Sequence, residues 1–266
     1  MRRFEPSMAA MLVAAVLAVG SPVLAEDPCD LALRRRTDRH TAGLAVRACA
    51  RAANENPAAV APLEALARAR YYLAQEYLAP KEAVEEYRRA IVDGLRGLSR
   101  LVDNDLSDMA ELDEHRHRVP KSAVGVLYWT TLAYGSTISS LPFYRQPSAA
   151  KRFARLVRRT LTLDETYFHA GPHRVLAEYL REAPALLGGD DEAASTHALK
   201  AVQLAPDFAE NHVVLAQVEA ASDAERYRKA LSRAVELADA ADGDAAPEQR
   251  SAGRRARALM EKAHNR

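Results

Sequence analysis

Two short phrases near the end of this chain rhyme. Ala201-Val202-Gln203-Leu204-Ala205 and Ala234-Val235-Glu236-Leu237-Ala238 stand thirty-three residues apart. A looser third copy lies upstream, where Thr160 to Tyr167 aligns with Ala201 to Phe208 at an offset of forty-one. A period of about 34 residues marks arrays of helix–turn–helix units. One such unit cannot bury its own apolar face and must stack on neighbours. That requirement favours an extended or hollow scaffold over a self-contained catalytic core.

The two ends of the chain and its charge narrow the class further. Arg2 and Arg3 form a positive start, Met8 to Val19 an apolar run, Gly20-Ser21-Pro22 a breaker and Val23-Leu24-Ala25 a small-residue cleavage site. Those twelve apolar residues are too few for a membrane helix, which needs about 20, so residues 1–25 read as a cleaved export signal. Cys29 follows Glu26-Asp27-Pro28 rather than small apolar residues, which argues against a lipid anchor. No later segment is apolar enough to span a membrane, and a periplasmic protein is expected. The chain has 37 basic and 36 acidic residues, and loss of Arg2, Arg3 and Glu5 leaves 35 of each. Such a balance gives no electrostatic basis for nucleic-acid binding. Cys29 and Cys49 are the two cysteines; after export, an even pair this close reads as a disulfide. It would clasp the first two helices and add roughly 3 kcal/mol for a loop of about 20 residues. A redox or metal pair would want C-x-x-C spacing, which is missing.

Helical periodicity runs through nearly all of residues 26–266, read as one domain with its clearest repeats over 148–266. Helices are expected over Ala42–Asn54, Pro57–Leu78 and Lys81–Val102, the last two antiparallel across a short join at Pro80. Asp103 to Arg118 reads as a short helix in a long loop, anchored by Leu106, Met109 and Leu112. Lys121 to Ser140 has no charge after Lys121 and should be a largely buried helix. Leu141 to Pro147 reads as a turn. Helical elements follow over Ala149–Leu163, Glu165–Arg181, Asp191–Leu204, Pro206–Ala220, Asp223–Ala238 and Pro247–His264. Strand and hairpin signals are missing. The expected fold is all-α: tetratricopeptide-like antiparallel hairpins stacked into an α-solenoid.

One segment carries a more specific likeness. Tyr167-Phe168-His169-Ala170-Gly171-Pro172-His173-Arg174-Val175-Leu176-Ala177 follows Leu163-Asp164 and precedes Pro184, Gly188-Gly189-Asp190 and the stretch from His197 to Pro206. With Tyr128-Trp129 and Tyr134-Gly135 upstream, this order resembles the TatT family, the T-component of certain tripartite ATP-independent periplasmic (TRAP) transporters. The resemblance implies cryptic tetratricopeptide-like hairpins, homotrimers around a central pore, and docking to a periplasmic solute-binding P-component. It also implies passage of a hydrophobic or organic-acid solute. Many relatives are lipoproteins, which this chain does not resemble at Cys29, and Tyr134 stands where a second tryptophan is usual.

Tyr128, Trp129 and Tyr134 on one apolar helix serve either as core or as a ligand-facing wall. Phe143 and Tyr144, in a turn, are candidates for exposed contact. Arg174 would pair either with a ligand carboxylate or with Glu178, and His173 completes the candidate set. His169 and His173 are four apart, but no H-E-x-x-H or cysteine pair completes a metal site, and a helix start at Pro172 would split them. His115 and His117 sit in a loop that reads as solvated. Gly188-Gly189 reads as a turn, with Asp190 capping the next helix rather than an anion occupying it. Signatures of nucleophilic hydrolases, P-loops and dinucleotide folds are missing, so neither an enzyme nor a cofactor is expected. The leading expectation is a TRAP-type accessory protein, and the alternative is a peptide-holding scaffold of envelope assembly.

Overall fold

A computed structural model of the chain describes residues 26–264, so the proposed export signal lies outside the described residues. Twelve α-helices follow one another, with no strand among the described residues. They are α1 (Pro28–Arg34), α2 (Arg39–Glu55), α3 (Ala61–Tyr77), α4 (Pro80–Val102), α5 (Met109–His115) and α6 (Val124–Thr137). The remainder are α7 (Gln146–Leu163), α8 (Tyr167–Glu182), α9 (Asp191–Leu204), α10 (Ala209–Glu219), α11 (Ala224–Asp239) and α12 (Ala246–His264). Each packs mainly on its neighbours in the chain and on the helix one hairpin away, the contact pattern of a solenoid. The rhyming phrases lie at the ends of α9 and α11.

Local chemistry accounts for the boundaries. Asp38 and Thr41 form a reciprocal capping box on α2; Asp108, Asp190 and Asp223 cap α5, α9 and α11. Two residues join α3 to α4, which forces an antiparallel hairpin, and Pro80 opens the second helix, where its missing N–H is harmless. Gly94 lets α4 and α6 approach: a Cβ there would lie 1.8 Å from the Thr130 hydroxyl. α6 is buried almost all round, in line with its lack of charge. Cys29 and Cys49 form the disulfide, joining α1 to α2 with Cα atoms 4.6 Å apart.

Several expected helix starts need correction, and α3 begins at Ala61 rather than Pro57. α7 starts at Gln146, inside the stretch read as a turn, with Pro147 in its first turn. α10 starts at Ala209 rather than Pro206. The Asn211 amide donates to the carbonyls of Ala201 and Ala205, and His212 Nε2 meets the Pro206 carbonyl at 2.7 Å. Side chains thus take up the backbone groups of the turn and hold it out of the helix.

The solenoid closes on itself. Arg36, fully buried between α1 and α2, pairs with Glu248 in the first turn of α12, and Arg68 of α3 bonds the same carboxylate at 2.8 Å. Tyr72 donates to the Pro247 carbonyl at 3.0 Å, and Arg254 pairs with Glu76 at 2.8 Å. The Arg36 guanidinium is pushed down to about 10 by burial and held up by Glu248, so it stays charged at neutral pH. The N-terminal turn of α12 suits the Glu248 charge.

Removing one partner of such a pair strands a buried cation, which costs about 3–5 kcal/mol. Glu248→Ala should therefore destabilise the fold by about 3 kcal/mol in urea unfolding. Arg254→Ala, at a half-exposed pair, should stay within about 0.5 kcal/mol. Equal small losses in both variants would show that charge does not close the ring.

Candidate functional site

Closure leaves a cavity of about 850 Å³ on the inner side of the turn, bounded by α3, α6, α7, α8, α10 and α12. Its wall is aromatic: Tyr71 from α3, Tyr128 and Trp129 from α6, Phe153 from α7, Phe168 and Tyr179 from α8. Trp129 lies 4.7 Å from Phe168 and 5.7 Å from Tyr71, ring centre to ring centre. Its indole N–H donates to the Tyr167 hydroxyl at 3.0 Å, which donates in turn to Glu64 at 2.6 Å. That chain fixes the indole without using any group that faces the cavity.

Phe168 reaches the cavity through an unusual backbone. Phe168, His169 and Ala170 all lie in the left-handed region, with φ of 45°, 57° and 59°. Each such non-glycine residue costs roughly 1–2 kcal/mol, so surrounding contacts must hold the turn. Arg174 and Asn211 do so. The His169 carbonyl accepts from Arg174 Nη1 at 3.2 Å and from Asn211 Nδ2 at 3.1 Å. Arg174 also donates to Asn211 Oδ1 at 2.6 Å and to the Tyr128 hydroxyl at 3.2 Å. The His169 ring stacks on Phe208 at 4.3 Å, nearly parallel, and the Arg174 guanidinium lies over the same ring. Gly171 leaves room for Tyr128: a Cβ there would stand 2.5 Å from its hydroxyl. Pro172 then begins the right-handed part of α8.

Charged groups gather at one side. Glu76 pairs with Arg254, Glu210 with Arg255, and Glu248 with Arg36 and Arg68. Glu178 lines the cavity too, yet no donor among the described residues reaches its carboxylate. Burial pushes the Glu178 carboxyl up to about 7, and the negative charge of Glu210 adds to the rise, against Arg174 and Arg255.

The sequence-derived candidates separate into two groups. Tyr128, Trp129, Phe143 and Arg174 line the cavity, with Phe143 at its mouth and 83% exposed. Tyr134, Tyr144 and His173 do not. Tyr134 is buried in the N-terminal core, where its hydroxyl accepts from Arg152 at 3.0 Å. Tyr144 packs edge-on against Phe143, away from the cavity. His173 points off the other face of α8, its Nε2 3.0 Å from Glu165 and its Nδ1 2.8 Å from His197 Nδ1. The left-handed turn separates His169 from His173, and His115 spends Nδ1 on the Glu111 carbonyl. Among the described residues no group of three His, Cys, Asp or Glu could hold a metal. Arg174 does not pair with Glu178; three of its N–H groups go to Asn211, Tyr128 and the His169 carbonyl. Tyr71, Glu210, Asn211 and Arg255 carry no mention in the sequence reading, where Phe168 stands only in the Tyr167–Ala177 likeness and Glu178 only as a partner for Arg174.

The raised Glu178 carboxyl predicts a pH effect. The folded state holds this proton more tightly than the unfolded chain, so its contribution is complete below pH 4.5 and lost as pH rises through about 7. Relative to Glu178→Gln, the unmodified protein should lose on the order of 1–3 kcal/mol of stability between pH 5 and 8. A pH-independent difference in denaturant midpoint would contradict this placement of Glu178.

A family model described as TRAP transporter T-component matches residues 55–265. No curated protein matches the chain. The matched span takes in every cavity-lining residue named above and leaves out α1 and nearly all of α2. On that match, over most of its length, the chain belongs to the TRAP transporter T-component family.

Proposed function

We propose that this protein is an exported, non-enzymatic accessory component of a TRAP-type transporter. It holds a small, largely apolar solute in the aromatic cavity and docks a periplasmic solute-binding protein that exchanges the solute with it. The observation that carries this reading is the cavity itself: about 850 Å³, within the range of small-molecule sites, with an aromatic wall on one side and a cluster of charged groups on the other. Family membership supplies the transport context. An organic acid is the weaker option, because Glu178 and Glu210 line the cavity and three of the five N–H groups of Arg174 are bonded to Asn211, Tyr128 and the His169 carbonyl. No helix of the described residues is long and apolar enough to cross a membrane. In this reading the 1–25 leader delivers the chain to the periplasm, no cofactor takes part, and copies assemble as the homotrimer that the TatT resemblance implies.

The scaffold alternative meets a physical obstacle. An extended peptide needs an open concave groove, and α12 bridges that groove by bonding to α3 through Glu248 and Pro247.

Mass spectrometry of small molecules released from gently purified protein, alongside capture of the solute-binding protein encoded with the transporter, tests the proposal. A released apolar solute, a captured solute-binding partner and sedimentation as a trimer are expected. Release of buffer alone together with failure to capture that partner would overturn it.

A further inference from the structure

The cavity wall is unbalanced in charge, and the imbalance bears on what enters it. Glu76, Glu178, Glu182, Glu210 and Glu248 line it, against two guanidiniums, Arg174 and Arg255. Both guanidiniums are engaged by the protein: Arg174 by Asn211, Tyr128 and the His169 carbonyl, Arg255 by Glu210. Four of the carboxylates have an arginine partner as well, Glu182 through Arg181. Glu178 is the exception among the described residues, and it faces an aromatic wall.

Those rings already receive a cation from outside. The Arg68 guanidinium sits 4.8 Å from the Phe168 ring centre and 5.9 Å from that of Trp129. Faces of tryptophan, tyrosine and phenylalanine attract cations, more strongly where water is excluded. An unpartnered carboxylate beside such faces is the arrangement that recognises an organic ammonium. A neutral head group would leave the Glu178 charge unpaired, and a carboxylate would be repelled by Glu178 and Glu210.

We propose that the cavity prefers solutes carrying an ammonium group on an apolar body, with Glu178 as the counter-ion and the Tyr71, Trp129 and Phe168 rings beside it. This rests on the solute-binding reading above and adds the chemistry of the head group. The charged and titratable groups facing Glu178 are Tyr71 of α3, Tyr128 of α6, Glu210 of α10 and Arg255 of α12, with Arg174 and Glu182 on its own helix.

Three probes of equal chain length decide it: decylammonium, decanol and decanoate. Trp129 is the single tryptophan of the chain, so its fluorescence reports on the cavity, and calorimetry supplies the affinities. Decylammonium should bind about tenfold tighter than decanol and decanoate at pH 8, the strength of one partly buried charge-assisted contact. An alkylammonium, like lysine, titrates near 10.4, so it stays charged throughout. Its affinity should therefore rise from pH 6 to 8 as Glu178 ionises. Glu178→Gln should remove the tenfold preference and the pH dependence, and a circular-dichroism spectrum like that of the unmodified protein shows that the variant is folded. Decanoate binding as tightly as decylammonium, or an unaltered preference in Glu178→Gln, would overturn the head-group proposal alone. Failure of all three probes to bind would overturn the solute-binding reading with it.

Discussion

A stack of helical hairpins has two ends, and in this protein a junction centred on one carboxylate holds them together. Glu248 at the start of α12 receives Arg36 from the α1–α2 junction and Arg68 from α3, across 212 and 180 residues of chain. Without that junction the array would be an open arc with a solvated inner face. With it, the inner face becomes a chamber. Glu248 also lines the chamber, so the group that closes the ring belongs to the wall. The three groups are largely shielded from water, which strengthens their attraction and makes loss of any one of them costly.

Inside the chamber, a second constraint sets the shape of the wall. Left to local preference, Tyr167 to Ala170 would avoid the left-handed region and a right-handed helix would start near Pro172. Instead Arg174 and Asn211 grip the His169 carbonyl and hold three residues left-handed. Phe168 then faces Trp129 rather than solvent or core. Strain of this kind persists only where the surroundings over-determine it, and it concentrates at working sites. The same Arg174 that the sequence offers as a ligand contact is thereby consumed as a strut.

Much of this architecture was legible in the sequence. A 33-residue echo and three- and four-residue apolar steps report which face of each helix needs a partner, and prolines and aspartates mark where helices stop and start. The uncharged stretch after Lys121 foretold a buried helix, and two cysteines near the start foretold a clasp. Ring closure was not legible, because periodicity says nothing about contacts between helices hundreds of residues apart. Nor was the left-handed turn, since Tyr-Phe-His-Ala carries no residue that favours such a backbone. That turn explains the fate of His173: once α8 proper begins at Pro172, His173 falls on the side facing α9. Four of the seven site candidates reached the cavity wall, aromatics on α6 and Arg174 among them, but the carboxylates that give the wall its charge follow no motif that would mark them as cavity groups.

A crystal structure of the exported protein, purified without detergent or competing additives, tests the central claim most directly. The account predicts α12 seated on α3 through Glu248, and continuous non-protein density between Trp129, Phe168 and Glu178. An α12 swung away from α3, or aromatic side chains collapsed together with no chamber between them, would contradict it.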